Sequence, residues 1–239
     1  MSTLPYFTFR EHSSLDFGLY IKEKGAYKGA QRNITYTQIA GRDGDLIIDE
    51  GNYKNVNIPY KLELLNTTEN SFAENARLIR NWLLLEPGYH QLWDTYDSDY
   101  FRYASFTGEA DIKQELAEYG SLDITFNCKP HRYLLTGQNK VTLTANSSLT
   151  NPEEHESKPY IKVNGSGTCY VYINNKTIQL NDVSGYTEVD SEIMNCYKGT
   201  TALNNKMVGD FPIFAPGSNS ISIGGGVTSL EIIPRWRTI

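Results

Sequence analysis

Alternating apolar and polar residues predict strands in the first half of the chain. Apolar side chains occupy every second position from Val56 to Leu64, the period of a strand with one face on a core. Pro59 interrupts this segment, and because proline has no N–H to donate, the strand is expected at a sheet edge or with a bulge. The alternation recurs from Leu122 to Cys128. Residues 100–106 form a third, aromatic-rich strand candidate.

One segment has the periodicity of a helix instead. Ser71 and Glu74 have the spacing of a capping box. Apolar residues then recur at helical spacing until Pro87 and Gly88, a pair that ends helices. The pattern predicts a single amphipathic helix at about residues 72–85, with its apolar side covering a sheet.

The character of the sequence changes near residue 135. Residues 136–159 are rich in Gly, Asn, Ser, Thr and Pro, which is typical of a linker or a loosely formed first strand. Six short strands are predicted after it: 160–163, 169–173, 177–180, 186–190, 219–223 and 230–233. Asn174-Asn175 suits a tight hairpin, and Gly224–Gly226 predicts another sharp turn.

These elements predict a mainly β protein with two domains. Short strands without helical crossovers indicate antiparallel sandwiches or barrels. We expect an N-terminal domain at residues 1–135 that contains the helix, and a C-terminal all-β domain at residues 136–239.

Composition and charge exclude several classes of protein. The 239 residues include 17 Tyr, a residue favoured at contact surfaces. Residues 1–130 hold 13 Lys and Arg against 19 Asp and Glu, so the whole net charge of −6 lies there. Without a basic cluster, tight nucleic-acid binding is not expected.

No segment approaches the roughly 18 consecutive apolar residues of a membrane span, and no secretory signal is recognisable, so the sequence predicts a protein made in a cytoplasm. Cys128, Cys169 and Cys196 are isolated and odd in number, which favours buried free thiols over a metal site or a redox role.

A search for catalytic and cofactor motifs finds none. The four His residues lack metal-binding spacing, and no phosphate-binding glycine loop or nucleophile motif occurs. Asp94, Asp97 and Asp99 resemble part of a calcium loop but lack its glycine and its distant glutamate, so a solvated turn is favoured. The cluster from Gly41 to Asp45 is typical of an ordinary tight turn when taken alone. The sequence thus predicts neither enzymatic activity nor a cofactor.

An ordered set of short motifs resembles the distal tail protein of long, non-contractile-tailed bacteriophages. The resemblance covers nearly the whole chain in the right order. The motifs that carry it are Gly41-Arg42-Asp43-Gly44-Asp45-Leu46, Ile58-Pro59-Tyr60, Trp82-Leu83, Asp94–Arg102, Phe126–Leu134, Asn151-Pro152, Phe211-Pro212, Pro216-Gly217 and Ile232–Trp236.

The resemblance implies a structural virion protein at the tail tip, made in the host bacterial cytoplasm. It implies a hexameric ring closed by a helix and a hairpin of an N-terminal β-sandwich, with a galectin-like C-terminal β-sandwich projecting outward. The implied partners are the tail tube protein, a tail-associated tip protein and, in some members, receptor-binding proteins. The implied ring has no catalytic residues and leaves a channel for DNA. At 239 residues the chain has no room for an inserted carbohydrate-binding module.

Two groups of residues become candidate sites under this resemblance. Arg and Tyr contribute disproportionately to interfaces, so the candidates for contact with a neighbouring subunit or the tube are Gly41, Arg42, Asp43, Gly44, Asp45, Tyr96, Tyr100 and Arg102. Carboxylates on the channel wall would repel passing DNA. The candidates for that role are Asp94, Asp97, Asp99, Glu109 and Asp111, with a solvated outer face as the alternative.

Two other functions stay open from the sequence. Exposed aromatic residues of the C-terminal domain could stack on host cell-wall sugars, as in a sandwich lectin, and the candidates are Tyr170, Tyr172 and Tyr186. A cell-wall hydrolase would need paired carboxylates across a cleft, and no constellation of that kind emerges.

Overall fold

The computed structural model describes residues 4–26, 28–65, 70–115 and 118–239. The chain divides into two compact units, the first comprising residues 1–132 with Ile239 and the second residues 133–238. Each unit has its own hydrophobic core. The fold class is confirmed as mainly β, with antiparallel sheets and one α-helix among the described residues.

Antiparallel strands make up most of the first unit. In chain order its elements are β1 (Phe7–Phe9), β2 (His12–Ser13), β3 (Leu19–Lys24), β4 (Arg32–Gln38), β5 (Asp45–Tyr53), β6 (Val56–Leu65), α1 (Phe72–Leu84), β7 (His90–Asp94), β8 (Tyr100–Ser105), β9 (Lys113–Gln114) and β10 (Tyr119–Leu134). The main sheet has the order β2-β1-β7-β8-β10-β6-β3, and β9 joins β10.

The alternation in β6 faces the core of this sheet. All five apolar residues at even positions from Val56 to Leu64 are buried, and β6 pairs with β10 from Val56–Cys128 to Leu65–Tyr119. Full burial of each such aliphatic side chain contributes about 1.5–3 kcal/mol.

The expected edge position of Pro59 is wrong, because β6 lies between β10 and β3. Its ladder with β3 ends at the pair Lys24–Tyr60, and the carbonyl of Pro59 accepts a bond from the N–H of Gly25 beyond that point. The nitrogen and the carbonyl of a strand residue point to the same side. The Pro59 nitrogen therefore faces a point beyond the end of the β3 ladder, where no strand partner needs a donor.

Helix α1 covers the apolar face of the sheet. Its first turn is capped by the Ser71 hydroxyl, which accepts a bond from the N–H of Glu74. Trp82 on its buried side donates its indole N–H to the carbonyl of Phe9 at 2.9 Å and stacks on Phe7 with 5.5 Å between ring centroids. The helix thus joins β1 to the core by packing and by a satisfied buried donor.

The second unit is all β apart from short 3-10 turns. After β10 its strands are β11 (Val141–Leu143), β12 (Ser147–Asn151), β13 (Tyr160–Ile173), β14 (Lys176–Asp190), β15 (Asn195–Lys198), β16 (Thr201–Ala202), β17 (Met207–Val208), β18 (Gly217–Ile233) and β19 (Arg237–Thr238). The order β11-β18-β13-β14-β15-β16 forms one sheet, with β12 on β18 and β17 on β14. The expected tight hairpin is present, since Ile173 pairs with Lys176 and Asn174 has φ 52°.

Six predicted short strands are in fact halves of three long ones, β13, β14 and β18. The sharp turn predicted at Gly224–Gly226 is wrong, since these residues lie inside β18. Register shifts near Gly165 and Cys169 mark bulges in β13. Glycines on adjacent strands let the backbones approach and bend together, so the strands bend here instead of ending.

The three cysteines are buried free thiols, as expected. Burial raises the pKa of Cys128 to about 12 and that of Cys196 to about 11. Because the thiolate is the reactive form, these groups are inert near neutral pH. No helix in the described part of the chain has the length and apolar character needed to span a bilayer.

Candidate functional site

Among the described residues, strands β4 and β5 pair only with each other and form a separate two-stranded sheet. We call residues 32–53 the hairpin arm. The cluster from Gly41 to Asp45 occupies its tip, and every residue of this tip is exposed. Gly41 and Gly44 have φ of 79° and 82°, in the left-handed region that glycine adopts without strain. The glycines therefore serve the turn, and the charged side chains between them face solvent.

The hairpin arm carries apolar residues on both faces. Tyr36 pairs with Ile47 on one face, while Leu46 and Ile48 lie on the other. Tyr36 and Ile47 are 62% and 61% exposed. An isolated two-stranded hairpin is marginally stable in water, and exposed apolar patches mark interaction surfaces. Both faces of the arm are thus suited to contact with another protein.

The base of the arm is held by polar contacts. The Arg32 side chain donates to Asp49 at 2.8 Å, and its guanidinium lies over the Tyr53 ring at 5.4 Å. The bond from Arg32, followed by one from the Gly51 N–H, lowers the pKa of Asp49. These contacts hold the two strands of the arm together at its base.

A second feature is a cavity of about 210 Å³ in the first unit, which we call the charged pocket. Ile58, Leu92 and Phe101 supply part of its apolar wall. Four basic and two acidic residues also line it: Lys24, Lys28, Arg102 and Arg132, with Asp94 and Asp97. The pocket therefore has an excess of positive charge, although the first 130 residues are acidic as a whole.

Asp94 lies on the inner wall of this pocket and is only 7% exposed. Both of its carboxylate oxygens accept from Lys24 Nζ, at 2.9 and 2.8 Å. It also accepts from the Tyr60 hydroxyl and from the N–H of Tyr96. Burial, followed by the charge of Asp94, raises the pKa of Tyr60 well above its ordinary value. The hypothesis of a channel-facing role is corrected for Asp94, because a carboxylate that acts on passing DNA must be in contact with water.

The remaining acidic candidates differ in exposure. Asp97 is half-buried and pairs with Arg132 at 3.1 Å. Asp99, Glu109 and Asp111 are exposed. Only these three have the free surface that a channel-facing role requires.

Arg102 is a half-buried cation with main-chain partners. Its guanidinium donates to the carbonyl of Pro130 at 2.8 Å and to that of Lys129 at 3.5 Å. Among the described residues no carboxylate lies within ion-pair distance of it. Burial lowers the pKa of Arg102, so its charged form gains from any anion that reaches the pocket.

The structure groups the sequence-predicted interface residues in two places. Tyr100 and Arg102 line the charged pocket, and the exposed ring of Tyr96 lies near the ammonium of Lys24. The residues from Gly41 to Asp45 lie at the arm tip and do not line the pocket. Sequence reasoning missed Lys24 and Lys28, which belong to no motif, and Arg132, which lies in the Phe126–Leu134 motif but is not among the site candidates.

The tyrosines considered for sugar stacking are not equivalent. Tyr170 and Tyr172 stack on each other with 6.3 Å between centroids, and Tyr172 is 38% exposed. Tyr186 instead has the ammonium groups of Lys162 and Lys198 over its ring, at 4.4 and 5.0 Å from its centroid. The Tyr186 ring is therefore covered by two ammonium groups and is not available for stacking on a sugar. In the described ranges no group of three His, Cys, Asp or Glu side chains has metal-binding geometry.

Comparison with known proteins was made by sequence and by structure. No family model and no curated protein matches the sequence. The structure matches the crystal structure of the SPP1 Dit protein (gp 19.1), described as a paradigm of the hub adsorption apparatus of phages that infect Gram-positive bacteria. That match has a TM-score of 0.73 and 14% identity, and covers 99% of this chain and 100% of the other.

Chains of the phage P2 baseplate match as well. A chain of the activated, calcium-containing baseplate matches with a TM-score of 0.56 and 12% identity, covering 96% of this chain and 97% of that one. A chain of the strontium-containing form gives 0.52 and 12%, covering 96% and 98%. At these identities the likeness concerns the fold, and the chain therefore has the fold of the Dit hub protein of phage SPP1.

Proposed function

We propose that this chain is a structural protein of a phage tail tip, where six copies form a ring. The ring joins the tail tube to the adsorption apparatus and leaves a channel for DNA. The observation that carries the proposal is the hairpin arm, which presents apolar residues on both faces within a fold matched over 99% of the chain by a phage hub protein.

The arm supports ring closure on physical grounds. Each copy contributes its arm to one neighbour and a receiving surface to the other, so the contact is heterologous. Repetition of a heterologous contact closes a ring when the rotation between successive copies is an integral fraction of a full turn. Covering Tyr36 and Ile47 removes their apolar surface from water, worth about 25 cal/mol per Å². A marginal hairpin is stabilised by the same contact.

The two predicted domains, whose bounds differ by a few residues from those of the compact units, have separate roles in this proposal. The first, at residues 1–135, forms the ring and meets the tail tube protein and a tail-associated tip protein. The second, at residues 136–239, projects outward and is the place where a receptor-binding protein would attach. The protein would act in the virion tail tip as a non-enzymatic component without a cofactor.

The test is the mass of the purified protein, alone and with its tail tube protein, measured by light scattering. The wild type is expected to give the mass of six copies. Replacing Tyr36→Ser and Ile47→Ser should leave a folded monomer with an unchanged circular dichroism spectrum, because both side chains are exposed in the single copy. The matched control, Ile193→Ser with Met194→Ser, removes two apolar residues that are 62% and 65% exposed in the second unit and should still form the ring.

Two results would contradict the proposal. One is a wild type that stays monomeric in the presence of the tube protein. The other is an arm variant that assembles as well as the wild type.

A second candidate function is glycan binding by the pair Tyr170 and Tyr172. The observation that favours it is their stacked arrangement, with Tyr172 exposed and its ring next to Gly224, which has no side chain to cover it. Binding of the full chain to a glycan array should be lost in Tyr172→Ala. It should persist in Tyr186→Ala, whose ring is already covered by lysines. Absence of wild-type binding on host cell-wall glycans would remove this candidate.

A further inference from the structure

The charged pocket retains two cations after its internal ion pairs are formed. Lys24 is paired with Asp94, and Arg132 with Asp97. Arg102 and Lys28 remain, and in the described part of the chain neither has a carboxylate within 4.0 Å. Lys28 is exposed at the opening, whereas Arg102 is half-buried. A cavity of about 210 Å³ admits an acidic side chain between them.

The tip of the hairpin arm offers the complementary charge. Asp43 and Asp45 are exposed, and within the described residues neither has an ion-pair partner. Positive-φ glycines on both sides keep the tip narrow, and an added Cβ on Gly41 or Gly44 would meet no atom within 4 Å. The tip therefore presents a carboxylate on a thin, unobstructed loop.

The length of the arm keeps its tip away from the charged pocket of the same copy. Lys28 and Gly29 line the pocket just before the arm begins at Arg32. From Arg32 to Gln38 the extended chain covers roughly 20 Å at 3.3 Å per residue. The tip thus lies far from its own base, and the tip that reaches a given pocket belongs to another copy.

We propose that Asp43 at the arm tip of one copy enters the charged pocket of the next copy and pairs with Arg102 and Lys28. This inference rests on the proposed ring and names the contact that sets its register. The occupant is a second copy of this chain because it carries an unpaired carboxylate on a protruding loop, the group that the two unpaired cations can receive. Each copy then gives a tip and receives one, as a heterologous ring requires.

The test exchanges the charges between tip and pocket. Asp43→Lys and Lys28→Glu are made singly and together in the full chain, and the concentration for half-assembly is measured by sedimentation. Each single variant should raise that concentration by about tenfold, because like charges then face each other across the contact. The combined variant should recover part of the loss and assemble at a lower concentration than Asp43→Lys alone, since an opposite pair is restored at position 28 while Arg102 still opposes the new ammonium.

Two further variants serve as controls. Asp210→Lys makes the same change in charge on the second unit, at a side chain that is 80% exposed, and should assemble like the wild type. Arg102→Gln removes the inner cation and should weaken assembly, while its melting temperature should equal that of the wild type when both are measured at a dilution at which neither assembles. If Arg102→Gln lowers that melting temperature, the variant no longer reports on the contact. The Asp43→Lys and Lys28→Glu variants then provide the test, because both side chains are exposed.

The outcomes separate this inference from the proposed function. A wild-type ring that tolerates both single variants overturns the contact and leaves the ring in place. Weakening by Lys28→Glu without weakening by Asp43→Lys also overturns it, since the pocket then receives a different acidic group. A wild type that never assembles contradicts the ring, and this inference with it.

Discussion

At the scale of single residues, the first unit is held by polar groups that its apolar pattern does not reveal. Lys24 and Asp94 form an ion pair whose side chains are only 10% and 8% exposed, and the Tyr60 hydroxyl completes it. A buried pair of this kind is costly to break, because the remaining charge is left without a partner and without water.

We therefore expect Asp94→Asn to destabilise the protein by about 3–5 kcal/mol, since it removes the carboxylate that neutralises the buried Lys24 ammonium. Lys24→Met together with Asp94→Asn should cost clearly less than the sum of the two single changes. Urea unfolding of the four proteins measures the coupling. If the change in unfolding free energy of the double variant equals the sum of the two single changes, Lys24 and Asp94 contribute to stability independently.

Glu63 provides a pH-dependent contribution. Bonds from Lys22, then from Tyr20 and Tyr119, lower its pKa from 4.5 to about 2. A folded pKa below the ordinary value means that the stabilisation is present above pH 4.5 and is lost as the pH falls from 4.5 to about 2.

Replacement of Glu63→Gln should accordingly cost ~1 kcal/mol at pH 7 and almost nothing near pH 2. Urea unfolding at a series of pH values measures both proteins. An equal difference at both ends of the range would assign the effect to packing and not to charge.

At the scale of elements, the bends of β13, β14 and β18 shape the second unit. A Cβ on Gly226 would lie 1.7 Å from the carbonyl oxygen of Ser166 on the neighbouring strand. That oxygen belongs to backbone inside a ladder and cannot move aside without breaking pairing.

Gly226→Ala is therefore expected to destabilise the protein by at least about 2 kcal/mol, in the range of strained or overpacked core positions. Gly29→Ala is the matched control, because nothing lies within 4 Å of its added Cβ. Thermal unfolding compares the two variants. Equal melting temperatures would mean that the strands adjust without cost.

The same elements show which parts of the fold are predictable from the sequence. The helix at 72–84 and the strand at 56–65 follow from local periodicity and a cap, and both have the predicted type. The sequence pattern divides each long strand of the second unit into two, because a Gly-rich segment that bends a ladder has the same local composition as one that ends it. The charged pocket could not be predicted, since its cations come from residues 24, 28, 102 and 132 and meet only through tertiary packing.

At the scale of the whole molecule, some of the acidic side chains of the first unit are neutralised by ion pairs within the unit. Asp94 and Asp97 are used in ion pairs, whereas Asp99, Glu109 and Asp111 are exposed. If those three line the channel of the proposed ring, their repulsion keeps DNA from adhering to the wall.

Changing Asp99, Glu109 and Asp111 to Lys should make the assembled protein retain double-stranded DNA at low salt and release it as salt rises. The control changes three exposed acidic residues of the second unit, Glu154, Asp182 and Asp210, to Lys. Gel retardation of the two assemblies separates the alternatives. Equal retention by both would favour a solvated outer face for the first group.

The three bent strands also have a mechanical consequence. β13 is paired along nearly its whole length with both β14 and β18, from Tyr160 to Ile173. A tension applied along these strands loads many hydrogen bonds in parallel, in shear, so that they must fail together and not one after another. We expect the second unit to transmit a pull as a stiff body and to lose its short edge strands, β16 and β17, before its centre yields.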